Sequence, residues 1–135
     1  MRYIVLDTNC LLLSLPSRSP YHKIWTDIMA GEISLCVNTD ILDEYEEKLA
    51  EYACAEVAHN VVEAIAALPT TTMQNTYVHF ELLPGDADDN KFVDCAIASD
   101  AELIVTNDKD FNPLKSIPWP KVEIMRIEEF MKVIS

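Results

Sequence analysis

The segment Arg2-Tyr3-Ile4-Val5-Leu6-Asp7-Thr8-Asn9 opens the chain with a short apolar run that stops abruptly at an acid. Its Tyr, Ile, Val and Leu read as a buried strand, and the Asp-Thr-Asn after them as a turn or helix start. Asp7 then stands at the carboxyl end of that strand. A charge flush against a buried strand is costly unless it is paired, hydrogen-bonded or bound to metal.

Outward from this segment, helix and strand patterns alternate. Cys10 to Leu15 begins a helix, Pro16 to Pro20 is a loop, and Tyr21 to Ala30 is a helix that stops near Gly31. Ile33 to Val37 is the next strand. Asn38 or Thr39 can cap a helix from Asp40 to Tyr52 whose apolar face is Ile41, Tyr45, Leu49 and Tyr52. A helix from Ala55 to Leu68 follows, carrying Val57, Val61, Ile65 and Leu68, and Pro69 stops it. Thr70 to Leu83 holds one or two short strands. Asp89 to Asp100 is a helix striped by Phe92, Val93, Ala96 and Ile97, and Glu102 to Val105 is a strand that ends in the polar run Thr106 to Asp110. Val122 to Met125 and Glu128 to Val133 give a last strand and a last helix. Strands separated by helices predict an α/β fold with a parallel sheet covered on both faces.

The 135 residues, half of them hydrophobic, suit one domain spanning 1–135, and the apolar content is too high for a disordered acidic tail. No apolar run approaches the roughly 20 residues that a membrane span needs, so no membrane association is expected. The N-terminus meets Asp7 too early for a secretion signal, which makes the cytoplasm the expected location. With only Gly31 and Gly85, the chain has neither a Gly-rich phosphate cradle nor a dinucleotide fingerprint. Cys10, Cys36, Cys54 and Cys95 form no CxxC pair and His22, His59 and His79 no ligand spacing, so zinc is not expected. The cysteines read as small buried hydrophobes. No Gly-x-Ser-x-Gly elbow is present. Carboxylates are left to carry any chemistry.

Twenty-three Asp and Glu against ten Lys and Arg give a net charge of −13, which argues against a broad phosphate-binding surface. It does not argue against an enzyme that reaches phosphate through bound cations. In parallel sheets function gathers at the carboxyl ends of strands. Two strands here end in acids, at Asp7 and Asp108, and Asp86, Asp88, Asp89 and Asp94 open the helix between them. Glu44 borders the apolar face of its own helix. Plainer readings exist for each: first-turn acids favour the helix dipole by about 0.3–1 kcal/mol, Asp108 and Asp110 can be caps, and Asp40, Asp43, Glu46, Glu47 and Glu51 make a solvated face. Convergent carboxylates that hold one or two Mg²⁺ or Mn²⁺ ions suit metal-dependent phosphodiester cleavage.

Four blocks carry a family resemblance: Ile4 to Asn9, Ile41-Leu42-Asp43-Glu44-Tyr45-Glu46-Glu47, Asp88-Asp89-Asn90-Lys91-Phe92-Val93-Asp94-Cys95-Ala96, and Ile104-Val105-Thr106-Asn107-Asp108-Lys109-Asp110-Phe111. In this order and spacing the chain resembles the PIN-domain nucleases, which include the toxin ribonucleases of bacterial VapBC toxin–antitoxin pairs. The resemblance implies a three-layer α/β/α fold around a central, mostly parallel sheet, and Mg²⁺- or Mn²⁺-dependent cleavage of single-stranded RNA to a 5′-phosphate and a 3′-hydroxyl. It also implies an antitoxin protein and a homodimer as partners. Asp7, Glu44 and Asp108 match the first, second and fourth acidic positions of the family. Family spacing places the third at Asn90, so Asp94 and Asp89 are expected to supply the charge, with Asn90 as a neutral oxygen ligand. The catalytic set implied is Asp7, Glu44, Asp94 and Asp108. Thr8, Asn9, Thr106 and Asp110 resemble residues that brace the acids.

Lys91, Lys109 and Lys115, in or beside these blocks, can contact flanking phosphates or remain solvated charges. Two other readings stand beside the nuclease. A phosphoacceptor receiver domain fits poorly, because Thr8 and Asn9 follow Asp7 where it would need acids. A catalytically weak PIN-like module that binds RNA or a protein draws support from Asn90.

Overall fold

The computed structural model describes residues 1–75 and 78–135. The opening segment forms β1 (Arg2–Leu6), with Ile4, Val5 and Leu6 fully buried. Side chains of this kind each contribute roughly 1.5–3 kcal/mol by leaving water. There follow α1 (Thr8–Ser14), α2 (His22–Met29), β2 (Ile33–Val37), α3 (Thr39–Tyr52), α4 (Ala55–Ala67), β3 (Thr72–Met73), α5 (Ala87–Ala98), β4 (Leu103–Val105), a 3₁₀ helix (Lys109–Ser116), β5 (Ile124–Met125) and α6 (Ile127–Ile134). The five strands lie in the order β3-β2-β1-β4-β5, and every pairing is parallel. Helices flank this sheet in a three-layer α/β/α arrangement: α5 packs on β1, β2 and β4, while α2 packs on β2 and meets α6.

The order places β1 at the centre. The chain runs from β1 to one side through β2 and β3, then returns to lay β4 against the other side of β1. This reversal opens a crevice at the carboxyl ends of β1 and β4, the usual place for a ligand in a parallel sheet. The register pairs Leu6 with Val105, and the Asp7 N–H extends the ladder to the Val105 carbonyl at 3.0 Å. The two polar segments that leave these strands therefore start side by side.

Local sequence explains the helix ends. Asn38 caps α3, its Oδ1 accepting the Ile41 N–H at 2.8 Å, and such caps are worth about 1 kcal/mol. Gly31, at φ +80°, turns the chain from α2 into β2, and a Cβ there would come within 3.2 Å of Thr70. Two apolar faces end sooner than their periodicity predicts. Tyr52 is 65% exposed and Val57 41%, whereas Ala58 and Ile65 are the buried residues of α4. Both exposed residues flank the α3–α4 turn, and α4 packs chiefly on α3. The segment read as one or two strands gives the single short β3 among the described residues, and the part of that reading on Thr76 and Tyr77 lies outside them. Cys10, Cys36 and Cys95 are buried as expected, but Cys54, at the start of α4, is exposed.

Candidate active site

Asp7 follows β1 at the N-cap position of α1, and its carboxylate accepts the Thr106 hydroxyl at 2.8 Å. Thr106, buried at the end of β4, also accepts the Asp108 N–H at 3.0 Å. One threonine thus fixes both acids that leave the central strands. Asp108 in turn caps the 3₁₀ helix by accepting the Asp110 N–H at 2.9 Å. The third contributor comes from α3. Tyr45, fully buried, donates its phenol to the Leu6 carbonyl at 2.5 Å and so pins α3 against the end of β1. Its neighbour Glu44 is left at the crevice, where the Thr8 hydroxyl donates to one carboxylate oxygen and the Lys91 ammonium to the other at 2.7 Å.

Asp7, Glu44, Asp89 and Asp108 line one cleft of about 430 Å³, together with Thr8, Asn9 and Asn107. Burial lifts the Asp7 carboxyl above its ordinary value; its bonds with Thr106 and Thr8 oppose this, and the charges of Asp108 and Glu44 add to the rise. Asp89 is pushed up to about 7, first by burial and then by Asp86, with Asp108 and Asp7 adding to it. A cation among these carboxylates would relieve the part of these shifts that comes from mutual repulsion. The donors are all hard oxygens, which fit Mg²⁺ or Mn²⁺ and not a soft metal. Among the described residues, the trio of acids whose carboxylate oxygens all lie within 4.8 Å of one another is Asp86, Asp89 and Asp110.

Several residues expected at the cleft are elsewhere. Asn90, read as a neutral oxygen ligand, is buried with its amide fully engaged: Oδ1 accepts the Leu83 N–H at 3.0 Å and Nδ2 donates to the Leu83 carbonyl at 2.7 Å. Asp94, read as the third acid, is also buried. It accepts the Phe80 N–H at 3.1 Å and faces the His79 ring nitrogen at 3.4 Å. The two side chains do share a helix face, but that face tethers residues 79–83 instead of lining the cleft. Asn9 lies exposed at the cleft and makes no side-chain hydrogen bond among the described residues. Lys91, read as a phosphate contact, is committed to Glu44. Asp110, read as a brace, holds Asp108 through its backbone N–H, while its carboxylate groups with those of Asp86 and Asp89.

Asp86, expected among the acids that open the helix, has a second role as its N-cap. It accepts the Asp89 N–H at 3.0 Å, and it is also the main charge acting on Asp89. Asn107 was missed in the sequence; its Oδ1 accepts the Ile127 N–H at 3.1 Å and ties the exit of β4 to α6. The Asn90 tether has a measurable consequence. Asn90→Ala leaves the buried Leu83 N–H without a partner, while the Leu83 carbonyl keeps the Asp86 N–H at 3.1 Å, and the change is expected to cost about 1–3 kcal/mol in urea unfolding. A loss below about 0.5 kcal/mol would mean that the loop is held by other contacts.

The sequence model of one protein family, described as a PIN domain, matches residues 3–110, which include all four acids of the cleft. The chain belongs to the PIN-domain family. No curated protein and no solved structure gives a match. PIN domains are a family of nucleases, usually metal-dependent, and this PIN domain carries a cluster of three acids, Asp86, Asp89 and Asp110. Among the described residues of this PIN domain, no helix is long and apolar enough to cross a membrane.

Proposed function

We propose that this PIN domain is a Mg²⁺- or Mn²⁺-dependent endoribonuclease that hydrolyses phosphodiester bonds in single-stranded RNA. The observation that carries the reading is the convergence of Asp7, Glu44, Asp89 and Asp108 on one cleft at the carboxyl ends of β1 and β4. Asp89 takes the third acidic position, because Asn90 and Asp94 spend their polar atoms on the 79–83 segment. These four carboxylates would hold the cation, which when bound supplies Lewis acidity toward water and neutralises charge on the scissile phosphate. Thr106 keeps Asp7 in one orientation, and Thr8 and Lys91 do the same for Glu44. Groups braced in this way need little reorganisation when substrate arrives, which is where a protein scaffold adds to catalysis.

The test is to compare Asp89→Asn with Asp94→Asn. Asp89→Asn should lower Mn²⁺ affinity in calorimetry about tenfold or more and lower RNA cleavage with it. Asp94→Asn should keep Mn²⁺ binding. The reverse pattern would return the third position to Asp94 and overturn this assignment. Removal of the ion by chelator should stop cleavage in every variant. The competing reading, a catalytically weak module that binds RNA or protein, has one observation in its favour: the Lys91 ammonium already occupies Glu44. It predicts no Mn²⁺ heat at all.

The same resemblance extends the proposal to a toxin-type role in the cytoplasm, with a small antitoxin protein and a second copy of the chain as partners. Growth arrest on expression of the parent, and none with Asp7→Asn, would support it.

A further inference from the structure

Beside the acidic cleft runs a smaller groove of about 190 Å³ between the 3₁₀ helix and the start of α6. The two share a wall formed by Asn107 and Asp108. The charge reverses across that wall. Lys109, Lys115 and Arg126 line the groove against two acids, Asp108 and Glu129. In a chain of −13, cations are expected to be taken up by nearby carboxylates, and half of them are. Among the described residues Arg2, Lys23, Lys48, Lys91 and Lys121 lie within 4.0 Å of a carboxylate oxygen. Arg18, Lys109, Lys115, Arg126 and Lys132 do not, and three of those five meet in this one groove.

We propose that the groove is a phosphate-binding track that holds the single-stranded RNA backbone flanking the scissile bond. This rests on the ribonuclease reading and names the path of the substrate through it. Three observations argue for phosphate and for this side of the cleft. The cations have no carboxylate partner within ion-pair distance, so an arriving anion displaces water and counterions but breaks no ion pair. An Arg fork and two ammoniums lining one groove suit phosphate oxygens. The frame is held by the sheet: Thr106 N–H donates to the Met125 carbonyl at 2.9 Å, and Asn107 ties the first residue of α6. Positively charged grooves of this kind track single-stranded backbones. The cavity over α5 is less suited to phosphate: it presents Asp40, Glu81, Asp86 and Asp94, its Lys91 is held by Glu44, and its His79 faces Asp94 at 3.4 Å.

The experiment measures binding of a short single-stranded RNA by fluorescence anisotropy over a salt series, in an Asp7→Asn background so that cleavage does not interfere. Adding Arg126→Gln and Lys115→Gln should weaken binding about tenfold. It should also lower the slope of log K against log salt by about 0.7 for each phosphate that is no longer neutralised. In the otherwise unaltered enzyme the same pair should raise KM far more than it lowers kcat. Arg18→Gln with Lys132→Gln, also unpaired cations, should leave both readouts as in the parent. Lys115→Gln alone, at an exposed side chain, repeats the test if the double variant does not fold. Unchanged affinity and salt slope would overturn the groove while leaving the nuclease intact. Equal cleavage by the parent and Asp7→Asn would instead remove the ribonuclease reading on which the groove rests. Competition by an acidic peptide with no RNA binding would assign the groove to a protein partner and overturn the proposal.

Discussion

Asp7→Asn should lower RNA cleavage by at least about 10²-fold, because the substitution removes a ligand charge and not merely a brace. Losing a hydrogen-bond partner of a metal ligand typically costs about 10–100-fold, which sets the floor for losing the ligand itself. The Thr106 hydroxyl can still bond an amide oxygen, so the geometry should survive. The same change should raise the stability of the metal-free protein. Burial and the charges of Asp108 and Glu44 make an ionised Asp7 unfavourable there, and a neutral amide removes that cost. The readout is a rise in Tm of the metal-free protein. Activity and apo stability should therefore move in opposite directions. Retained activity, or lower stability with retained metal binding, would show that Asp7 is a structural acid.

The second large effect is on pH. Asp89, pushed up to about 7, holds a proton below that pH and must release it before it can ligate a cation. Mn²⁺ affinity should then fall about tenfold for each unit below pH 7, and about 100-fold by pH 5, for this single proton. Asp7, shifted in the same direction, steepens the dependence. In Asp89→Asn the profile should flatten by one proton. Metal-free stability follows the opposite course. A carboxyl whose folded pKa exceeds its unfolded one contributes stability that is fully present below the unfolded value and is lost as pH rises through the folded one. Apo Asp89→Asn should therefore be more stable than the parent at pH 8, with the gap closing toward pH 5. Solvent screening keeps that gap small, because Asp89 is only partly buried. A parent profile as flat as that of Asp89→Asn would remove Asp89 from the site.

The strands and two of the four acids were legible in the sequence because each rests on a short-range rule. Ile33 to Val37 is an apolar run bounded by polar residues, and β2 has those limits. Asp7 is the residue after β1 and Asp108 the third after β4, so assigning the strand locates the acid. The third acid was not legible in the same way. Helical spacing correctly puts Asn90 and Asp94 on one face, but periodicity does not say which neighbour that face meets, and here it meets the 79–83 segment. Tyr52 and Val57 show the same limit at the α3–α4 turn, where the apolar stripe continues after the packing partner has ended. The −13 also divides in two. Asp40, Asp43, Glu46, Glu47 and Glu51 are exposed as a solvated face should be, whereas Asp7, Glu44 and Asp89 are partly enclosed.

Three consecutive residues of α5 address three different neighbours: Asp89 the acidic cleft, Asn90 the Leu83 peptide and Lys91 the Glu44 carboxylate. Successive side chains of a helix are about 100° apart, so all three directions are spoken for at once. A single-residue insertion or deletion within this turn would rotate every one of them to the wrong partner. It would place an amide in the cleft, a lysine against a buried peptide or a carboxylate against a carboxylate. The chain can lengthen or shorten its loops, but the phase of α5 is locked.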